Sequence, residues 1–431
     1  MHIAVVCPEL HGHLNPMTTL AAELVRRGHT LTLFGTPDAE AKALRMGLSF
    51  HPIGMAEHKA GTFEADKAKL ASLTGFAALK FTGQLLKQAA TIGIRDLPAA
   101  FGSTGVEAIL VDQVSPAAAC VGDVIALPYV IVCNAMAMHQ EPGVPPGPTA
   151  WPYRTGFLGR LRNRLGNLML KIAARPIYKE LREYQIANGL QPRKQGINAD
   201  YGLAQIAQQP AFFDFPRKHL PSHFHYTGPW HAEGRDVDVP FPWEQLNGKP
   251  LIYASLGTLQ NRLADVFRAI VAGCAELDVQ VVVSLGRNDA VWDGPTPANA
   301  IVVPFAPQLP LLDKASVVIT HAGLNTVMES LARGKPMLCL PVTNDQPGVA
   351  NRVRWLGAGG MLKPSKATPV RIREAVSTLM MDGRFRTVAE QCQKQIADGD
   401  GLRKAGDIAE RALKSGKRVE RVGMNCEQQD K

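Results

Sequence analysis

The feature that most constrains the fold is an alternation of short apolar segments with helical segments, which occurs in each half of the chain. The first half contains HIAVVC (2–7), TLTLFG, LSFHPIG, AILVD (108–112) and PYVIVC (128–133). The second half contains LIYASLG, VQVVVSLG, AIVVPF, ASVVIT and PMLCLPV. Apolar strands separated by helices are typical of parallel sheets covered on both faces. The pattern therefore predicts an α/β protein with two Rossmann-like domains whose parallel sheets face each other across a cleft.

A stretch rich in proline, glycine and charge, GPWHAEGRDVDVPFPWEQLNGKP, separates the two groups of strands. This composition is typical of an interdomain linker, and 431 residues exceed the size of one ordinary core. The predicted division of the chain is an N-terminal domain over 1–230, a linker over 231–249, a C-terminal domain over 250–398, a helix over 399–416 that returns to the N-terminal domain, and a frayed tail over 417–431.

The N-terminus and the cysteines favour a cytoplasmic protein. The first residues, MHIAVVCPEL, enter a strand pattern directly and lack the features of a signal peptide. No stretch approaches the ~20 apolar residues that span a bilayer. The seven cysteines form no CxxC pair and mostly lie in apolar patterns, as buried thiols of a reducing compartment do. No clustered metal-ligand spacing occurs, so no metal is expected.

A net charge of +9 raises the question of an anionic partner. Basic residues are not interleaved with aromatic residues, so no nucleic acid partner is expected. They concentrate in residues 154–184, where leucines recur at three- and four-residue steps among arginines. The favoured interpretation is a solvated helix packed on its own domain. The alternative is an interfacial helix in peripheral contact with an anionic membrane.

The stretch THAGLNTVMES (320–330) has the features of an anion site. It follows an apolar strand with a tight turn and then begins a helix, whose free N–H groups and positive dipole end attract anions. Gly323 lets the backbone approach the anion, while Asn325 and Thr326 can add side-chain donors. Glu329, one turn into the helix, suits a vicinal diol such as ribose.

The alternative interpretation of this stretch is a capping box formed by Thr326 and Glu329, with Gly334 ending the helix. It leaves three polar residues unexplained, namely His321, Asp345 and Gln346. The usual nucleotide signatures, GxGxxG after the first strand and GxxxxGK[ST] anywhere, are missing, which disfavours dehydrogenases and P-loop proteins.

Several short motifs of the sequence together resemble the donor-binding signature of the UDP-sugar-dependent family-one glycosyltransferases. Proteins of that family have two Rossmann domains in the GT-B arrangement. They are FAPQ (305–308), THAGLNTVMES (320–330) and PVTNDQPGVAN (341–351), supported by GHLNP (12–16), ASLGT (254–258) and the helix near 400–413. The resemblance therefore covers nearly the whole chain. Within the family it is closest to bacterial carotenoid (zeaxanthin) glucosyltransferases, through YASLGTLQN, LDVQVVVSLG and the donor stretch itself.

The resemblance implies a role for each polar residue of the donor site. Phe305 is expected to stack on uracil, at a position where plant relatives have tryptophan. The remaining assignments are Gln308 and Glu329 at uridine and ribose, Thr258, His321, Asn325 and Thr326 at the two phosphates, and Asp345 and Gln346 at the sugar hydroxyls. The glutamine accompanies glucose in plant relatives, so UDP-glucose is the expected co-substrate and no cofactor is expected.

Transfer of the sugar requires a base, because the acceptor hydroxyl loses a proton as it attacks. His13 follows the first strand in ELHGHLNP, and the resemblance places the family's base at this histidine. His11 is the runner-up. Asp112, which ends the strand AILVD, is expected to orient His13 and stabilise its protonated form. The alternative role for Asp112 is a cap of the turn that follows.

The leading hypothesis is an inverting, metal-independent O-glucosyltransferase acting on a lipophilic hydroxyl compound such as a carotenoid, another terpenoid, a polyketide or a phenol. The alternatives are a sugar-nucleotide 2-epimerase of the same architecture and a non-catalytic nucleotide-sugar or lipid sensor. A monomer is expected. The candidate acceptor surface comprises Phe76, Phe81, Met136, Met138 and Trp151.

Overall fold

The structure is a computed structural model, and it describes residues 1–58, 62–73, 75–192, 201–230, 239–257, 263–287 and 290–421. Two parallel sheets with covering helices form within these ranges, as the sequence predicted. The predicted boundaries of the linker stay a prediction, because residues 231–238 lie outside the described ranges.

The N-terminal sheet contains the five predicted strands and two short strands that the sequence did not reveal. Its strands are β1 (His2–Val6), β2 (Thr30–Gly35), β3 (Ser49–Pro52), β4 (Ala108–Asp112), β5 (Tyr129–Cys133), β6 (Gln205–Ala207) and β7 (Phe224–Tyr226). Their order is β3-β2-β1-β4-β5-β6-β7, with every pair parallel. Strand order therefore reverses between β1 and β4, at the centre of the sheet.

Helices cover both faces of this sheet. They are α1 (His11–Arg26), α2 (Glu40–Arg45), α3 (Thr62–Ser72), α4 (Gly75–Thr104), α5 (Pro116–Val124) and α6 (Phe157–Ala187). Successive side chains of β1 point to opposite faces. Ile3 and Val5 join the core beneath α1, while Ala4 and Val6 join the core beneath α4. All four are at least 93% buried, so β1 is a central strand without a solvent face.

The C-terminal sheet has the five predicted strands and a short sixth one. Its strands are β8 (Leu251–Ser255), β9 (Gln280–Ser284), β10 (Ala300–Val303), β11 (Ala315–Thr320), β12 (Met337–Cys339) and β13 (Gly359–Met361). Their order is β10-β9-β8-β11-β12-β13, again parallel throughout. The helices of this half are α7 (Ala264–Cys274), α8 (Gln308–Lys314), α9 (Leu324–Leu331), α10 (Gln346–Leu356), α11 (Pro369–Met381) and α12 (Gly383–Ala397).

The last helix, α13 (Gly401–Ser415), packs on the N-terminal domain, as expected. Arg27 at the end of α1 bonds Asp407 at 2.7 Å and Glu410 at 3.2 Å. The prediction of a frayed tail from residue 417 is wrong for residues 417–421, because the N–H of Val419 donates to Leu203 at 2.9 Å. Residues 422–431 lie outside the described ranges.

A buried ion network joins the two domains. Arg352 on α10 donates to Asp214 of the N-terminal domain from Nε at 2.8 Å and from Nη2 at 2.7 Å. Arg217 and the hydroxyl of Tyr226 donate to the other oxygen of Asp214, at 2.9 and 2.7 Å. The Arg352 guanidinium also lies 4.4 Å from the ring centre of Phe215. The side chains of Asp214 and Arg352 are both 1% exposed, so this interdomain contact excludes water.

The packing that the favoured interpretation predicted is confirmed, because the basic segment forms α6 and packs on its own domain. In the first half of α6 the buried residues are Gly159, Asn163, Gly166 and Asn167, whereas the leucines of that half are exposed. Leu158 is 78% exposed. Among the described residues, no helix is long and apolar enough to cross a bilayer. The six cysteines of the described ranges are buried free thiols, as predicted.

Candidate active site

The candidate site lies where strand order reverses in each sheet. His13 follows β1, and Asp112 is the last residue of the neighbouring strand β4. In the other domain, Gly257 follows β8 and His321 follows the neighbouring strand β11. The carboxyl ends of strands at such a reversal form a crevice in which α/β proteins bind ligands.

His13 and Asp112 are in direct contact. Nδ1 of His13 donates to Oδ2 of Asp112 over 2.9 Å. The Asp112 side chain is fully buried, whereas that of His13 is 16% exposed. The other carboxylate oxygen accepts the backbone N–H of Val114 at 2.8 Å. Both interpretations of Asp112 therefore describe the same carboxylate, because one oxygen holds the histidine and the other caps the turn.

The environment favours a protonated form of His13. Burial acts to lower the pKa of His13, but the charge and hydrogen bond of Asp112 outweigh it, so the pKa is raised above its ordinary value. No described residue is hydrogen-bonded to Nε2 of this ring. The imidazole can therefore accept a proton at Nε2 while Asp112 fixes its orientation. The runner-up, His11, is exposed at the first position of α1.

The sequence placed the start of α1 at Pro16, but the helix begins at His11 and contains Pro16 in its second turn. Proline has no N–H, so it cannot bond the carbonyl four residues earlier, which belongs to Gly12. Nδ2 of Asn325, across the cleft, donates to that carbonyl at 3.1 Å. Oδ1 of Asn325 accepts from Gln208 at 2.9 Å. Asn325 thus bridges the domains beside His13.

The turn between β11 and α9, residues 321–323, is here termed the donor turn. The interpretation of Thr326 and Glu329 as a capping box after this turn is wrong. Helix α9 begins at Leu324 with Gly323 as its N-cap, and no side chain caps it. The carboxylate of Glu329, 1% exposed, instead accepts Nε2 of Gln308 at 2.5 Å. The first N–H groups of α9 have no partner within the helix and remain available to an anion. Gln308 and Glu329, which the resemblance assigns to uridine and ribose, are therefore in direct contact.

The ring of His321 lies between two glycines. A Cβ on Gly257 would lie 2.7 Å from Nε2 of the ring, and a Cβ on Gly323 would lie 2.6 Å from it. Burial lowers the pKa of His321 to about 4, so the ring is neutral at physiological pH. Ala322 adopts a φ of +66°, a conformation that costs an L-residue energy and is common at functional sites.

The structure also places the other described residues that were predicted to bind the donor. Asp345 is close enough to His13 for the two charges to interact, and burial raises the pKa of its carboxyl. Gln346 uses Oε1 to accept the N–H groups of Val342 and Thr343, at 2.8 and 3.0 Å. Thr326 lies in the first turn of α9, and Phe305 is half-buried between β10 and α8. Thr258 lies outside the described residues.

A cavity of about 200 Å³ lies beside the histidine–aspartate pair, between the N-terminal sheet and the helices α4, α5 and α6. Its lining is mostly apolar and includes Asp112, Cys133, Met138, Ile177 and Tyr178. Of the predicted acceptor residues, Met138 alone is among those that line it.

The other acceptor predictions pack elsewhere. Met136 is 1% exposed and belongs to the core beneath the C-terminal sheet. Phe81 packs on Leu70. Trp151 packs on Gly166 of α6. Phe76 lies in α4, and its side chain is outside the described part of the structure.

Two residues of the site were not predicted. Asn134 follows β5, is 1% exposed, and donates to Oδ2 of Asp112 at 2.6 Å. Gln208 follows β6 and donates to the backbone carbonyl of Asn134 as well as to Asn325. The signal for Asn134 was present, since a polar residue directly after an apolar strand occupies the same position as Asp112. No group of three or more His, Cys, Asp or Glu arranged for a metal occurs in the described ranges.

The fold, two parallel α/β sheets whose strand reversals carry the candidate site, is that of the GT-B glycosyltransferases. The chain belongs to the family described as UDP-glucoronosyl and UDP-glucosyl transferase, whose model matches residues 57–391. It is therefore an enzyme that transfers a sugar from a nucleotide donor to a small-molecule acceptor.

Known glycosyltransferases are similar to this chain over almost its full length. The chain is 30% identical over 421 residues to the zeaxanthin glucosyltransferase of Pantoea ananas, covering 97% of each chain. It is 29% identical to the zeaxanthin glucosyltransferase of Pseudescherichia vulneris, covering 96% of this chain and 98% of the relative. The crystal structure of the glycotransferase of kitacinnamycin has the same fold, with a TM-score of 0.75 at 23% identity, over 96% of this chain and 98% of that one. The expected likeness to carotenoid glucosyltransferases is thereby confirmed.

Proposed function

We propose that the chain is an inverting O-glucosyltransferase that moves glucose from UDP-glucose to a hydroxyl of a lipophilic small molecule. The observation that carries the proposal is the 2.9 Å bond from His13 to Asp112, at the strand reversal opposite the donor turn. Carotenoid-like diols are the first acceptors to test, with other terpenoids, polyketides and phenols as the wider class. The name of the zeaxanthin glucosyltransferases and the apolar cavity beside Asp112 support that choice.

The reaction is a single displacement. Nε2 of His13 accepts the proton of the acceptor hydroxyl, and the hydroxyl oxygen forms a bond to the anomeric carbon of glucose. The bond from that carbon to the β-phosphate oxygen breaks, and its electron pair leaves with UDP. Attack from the face opposite the leaving group inverts the configuration and gives a β-linked product.

Negative charge develops on the leaving diphosphate, and the donor turn is suited to stabilise it. The N–H groups at the start of α9 and the neutral ring of His321 are donors fixed in place before the reaction. In this proposal they replace a metal ion. Asp345 and Gln346 are assigned to the glucose hydroxyls, and Phe305 is assigned to the uracil.

The test is His13→Ala with UDP-glucose and a mixed panel of carotenoid diols, sterols, macrolides and flavonoids, followed by mass spectrometry. We expect turnover to fall by ~10²-fold or more, because the base is lost, while UDP affinity in calorimetry stays near wild type. His11→Ala is the control and should retain turnover. Unchanged turnover in His13→Ala would contradict the assignment of His13 as the base.

Two outcomes of the same assays would replace the proposal. Turnover of UDP-GlcNAc without any acceptor would identify a 2-epimerase. UDP binding without transfer to any member of the panel would identify a sensor. A monomer stays a prediction, and the proposed peripheral contact with an anionic membrane is developed in the next subsection.

A further inference from the structure

The first half of α6 exposes a continuous set of large apolar side chains. They are 43–78% exposed and comprise Phe157, Leu158, Leu161, Leu165, Leu168, Met169 and Ile172, here termed the α6 apolar face. At about 100° per helical residue, these positions cover one arc of roughly 120°. Soluble proteins rarely expose a contiguous patch of this kind unless it contacts a partner or a membrane.

The orientation of α6 is fixed by its opposite side, so the exposure follows from packing. Gly166 lies against Pro146 and Trp151, and a Cβ there would come within 2.8 Å of both rings. Nδ2 of Asn163 donates to the carbonyl of Pro142 at 3.0 Å. The first half of the helix therefore docks on its domain through glycine and asparagine, which leaves the side chains of the α6 apolar face largely exposed.

The charges carried by the segment of chain that contains the face are of one sign. Between residues 142 and 179 the sequence has seven Lys or Arg and no Asp or Glu, so the rest of the chain carries only +2 of the +9 net charge. Arg160, Arg164 and Lys171 follow one edge of the α6 apolar face, and Arg175 lies at its C-terminal end. None of these four forms an ion pair with a carboxylate in the described part of the chain.

We propose that the α6 apolar face docks on an anionic lipid bilayer, with the helix lying in the plane of the interface. Its apolar side chains would enter the boundary of the acyl chains, while the flanking cations meet lipid phosphates. Charge decides against a second copy of the chain, because pairing two such faces would bring the four cations that flank the α6 apolar face against the same four. An anionic surface is the occupant that both the apolar and the basic parts of the face fit.

The same helix leads from this surface to the candidate active site. Ala174, Ile177, Tyr178 and Leu181, in the second half of α6, line the cavity that also touches Asp112. A lipophilic acceptor dissolved in the bilayer would therefore reach the cavity along a single helix. This last step rests on the proposed function, whereas docking of the surface does not.

The test is flotation of the full chain with vesicles of phosphatidylcholine, with or without about one third phosphatidylglycerol. We expect the protein to float with the anionic vesicles, not with the neutral ones, and to be released as salt is raised. The triple variant Leu158→Gln, Leu165→Gln, Met169→Gln should reduce the bound fraction about tenfold. The matched control is Val291→Gln, Val370→Gln, Met381→Gln, which changes equally exposed apolar residues of the C-terminal domain and should float like wild type.

Charge is tested in the same way. Arg160→Gln, Arg164→Gln, Lys171→Gln should weaken flotation, whereas Lys363→Gln, Lys366→Gln, Arg371→Gln, which removes the same charge from the other domain, should not. Failure of the wild-type protein to bind anionic vesicles would overturn the proposal. Self-association in light scattering that only the apolar triple variant abolishes would assign the face to a protein interface. UDP affinity, measured by calorimetry on every variant, reports the donor site separately.

Discussion

At the scale of single residues, the candidate site depends on one buried carboxylate that has several partners. Oδ2 of Asp112 accepts from His13 and Asn134, and Oδ1 accepts a backbone N–H. These bonds keep the carboxylate in one orientation, so the imidazole above it is held in one tautomer. The pKa of His13 is raised for the same reason.

Asp112→Asn tests this electrostatic coupling. In the wild type, kcat/KM should fall as pH drops through the raised pKa of His13, above its ordinary value of 6.5. Asparagine removes the charge that raises this pKa, and burial then lowers it, so the acid limb should move to lower pH. The plateau should fall by ~10²-fold or more, because the imidazolium loses its partner. The measurement is the pH profile of kcat/KM, and an acid limb at the wild-type position would contradict the assignment.

A second prediction at this scale concerns the glycine packed on His321. Gly257→Ala adds a Cβ that would lie 2.7 Å from the ring, so the imidazole must shift within the donor turn. We expect UDP affinity to fall about tenfold or more, measured by calorimetry. Gly248→Ala is the control, since Gly248 has a similar φ of +81° but nothing within 4 Å of its would-be Cβ. Equal losses in both variants would show that backbone strain, not contact with His321, is responsible.

At the scale of elements, the sequence predicted most of the strands and fewer of the helix ends. Most of the ten predicted strands have four to six residues within apolar runs, and the three-residue β12 lies in the apolar run PMLCLPV. The other three-residue strands, β6, β7 and β13, carry too little pattern to recognise. The start of α1 was misplaced because Pro16 favours the first turn of a helix, yet here the helix tolerates it one turn later. The exposure of the α6 apolar face was not predicted, because periodicity shows that a face exists, not what covers it.

The positions of the strands indicated which polar residues of the candidate site lie close together, but they gave no information about the residues that line the acceptor cavity. His13, Asp112 and His321 lie next to strand ends, whose meeting at one edge of a sheet can be inferred from a parallel order. Met136, Phe81 and Trp151 lie in long helices and loops, where packing depends on contacts that no local pattern encodes. Gln208 was missed because its strand is only three residues long.

Gly166→Ala is a prediction at the scale of α6. Alanine normally favours a helix by about 0.5–1 kcal/mol over glycine, but here its Cβ would come within 2.8 Å of Pro146 and Trp151. The clash should dominate and destabilise the protein by about 1–3 kcal/mol. Gly102→Ala in α4 has nothing within 4 Å and should be neutral or stabilising. Urea unfolding measures both changes, and stabilisation of both variants would refute the tight packing of α6.

At the scale of the whole molecule, the two domains share a charge network around Asp214 that water does not reach. Burial alone would raise the pKa of Asp214, but Arg352 and Arg217 outweigh it and lower the pKa from its ordinary value of 3.8 to about 2. A carboxylate with a depressed pKa contributes stability above its unfolded pKa and loses it as pH falls through the folded one. The network should therefore hold the domains together at neutral pH and weaken from about pH 4 to about pH 2.

Asp214→Asn leaves both arginines without their counter-charge. We expect the free energy of unfolding to fall by about 3 kcal/mol or more at pH 7, because a buried charge is left uncompensated. The difference between variant and wild type should shrink as pH falls below about 4, since the wild-type carboxylate is then lost too. Asp265→Asn, at a pair whose aspartate is 96% exposed, should change stability by less than about 0.5 kcal/mol. A pH-independent difference would argue against the network.

The proline within α1 has one further consequence. It leaves the Gly12 carbonyl to Asn325, whose amide nitrogen carries two hydrogens, one occupied by that carbonyl and one directed elsewhere. If the second hydrogen meets the diphosphate, as the resemblance implies for Asn325, one amide group touches both the departing nucleotide and the first turn of the helix that carries the base. The distance between the base and the departing nucleotide would then depend on the length of this amide as well as on how closely the two domains approach each other.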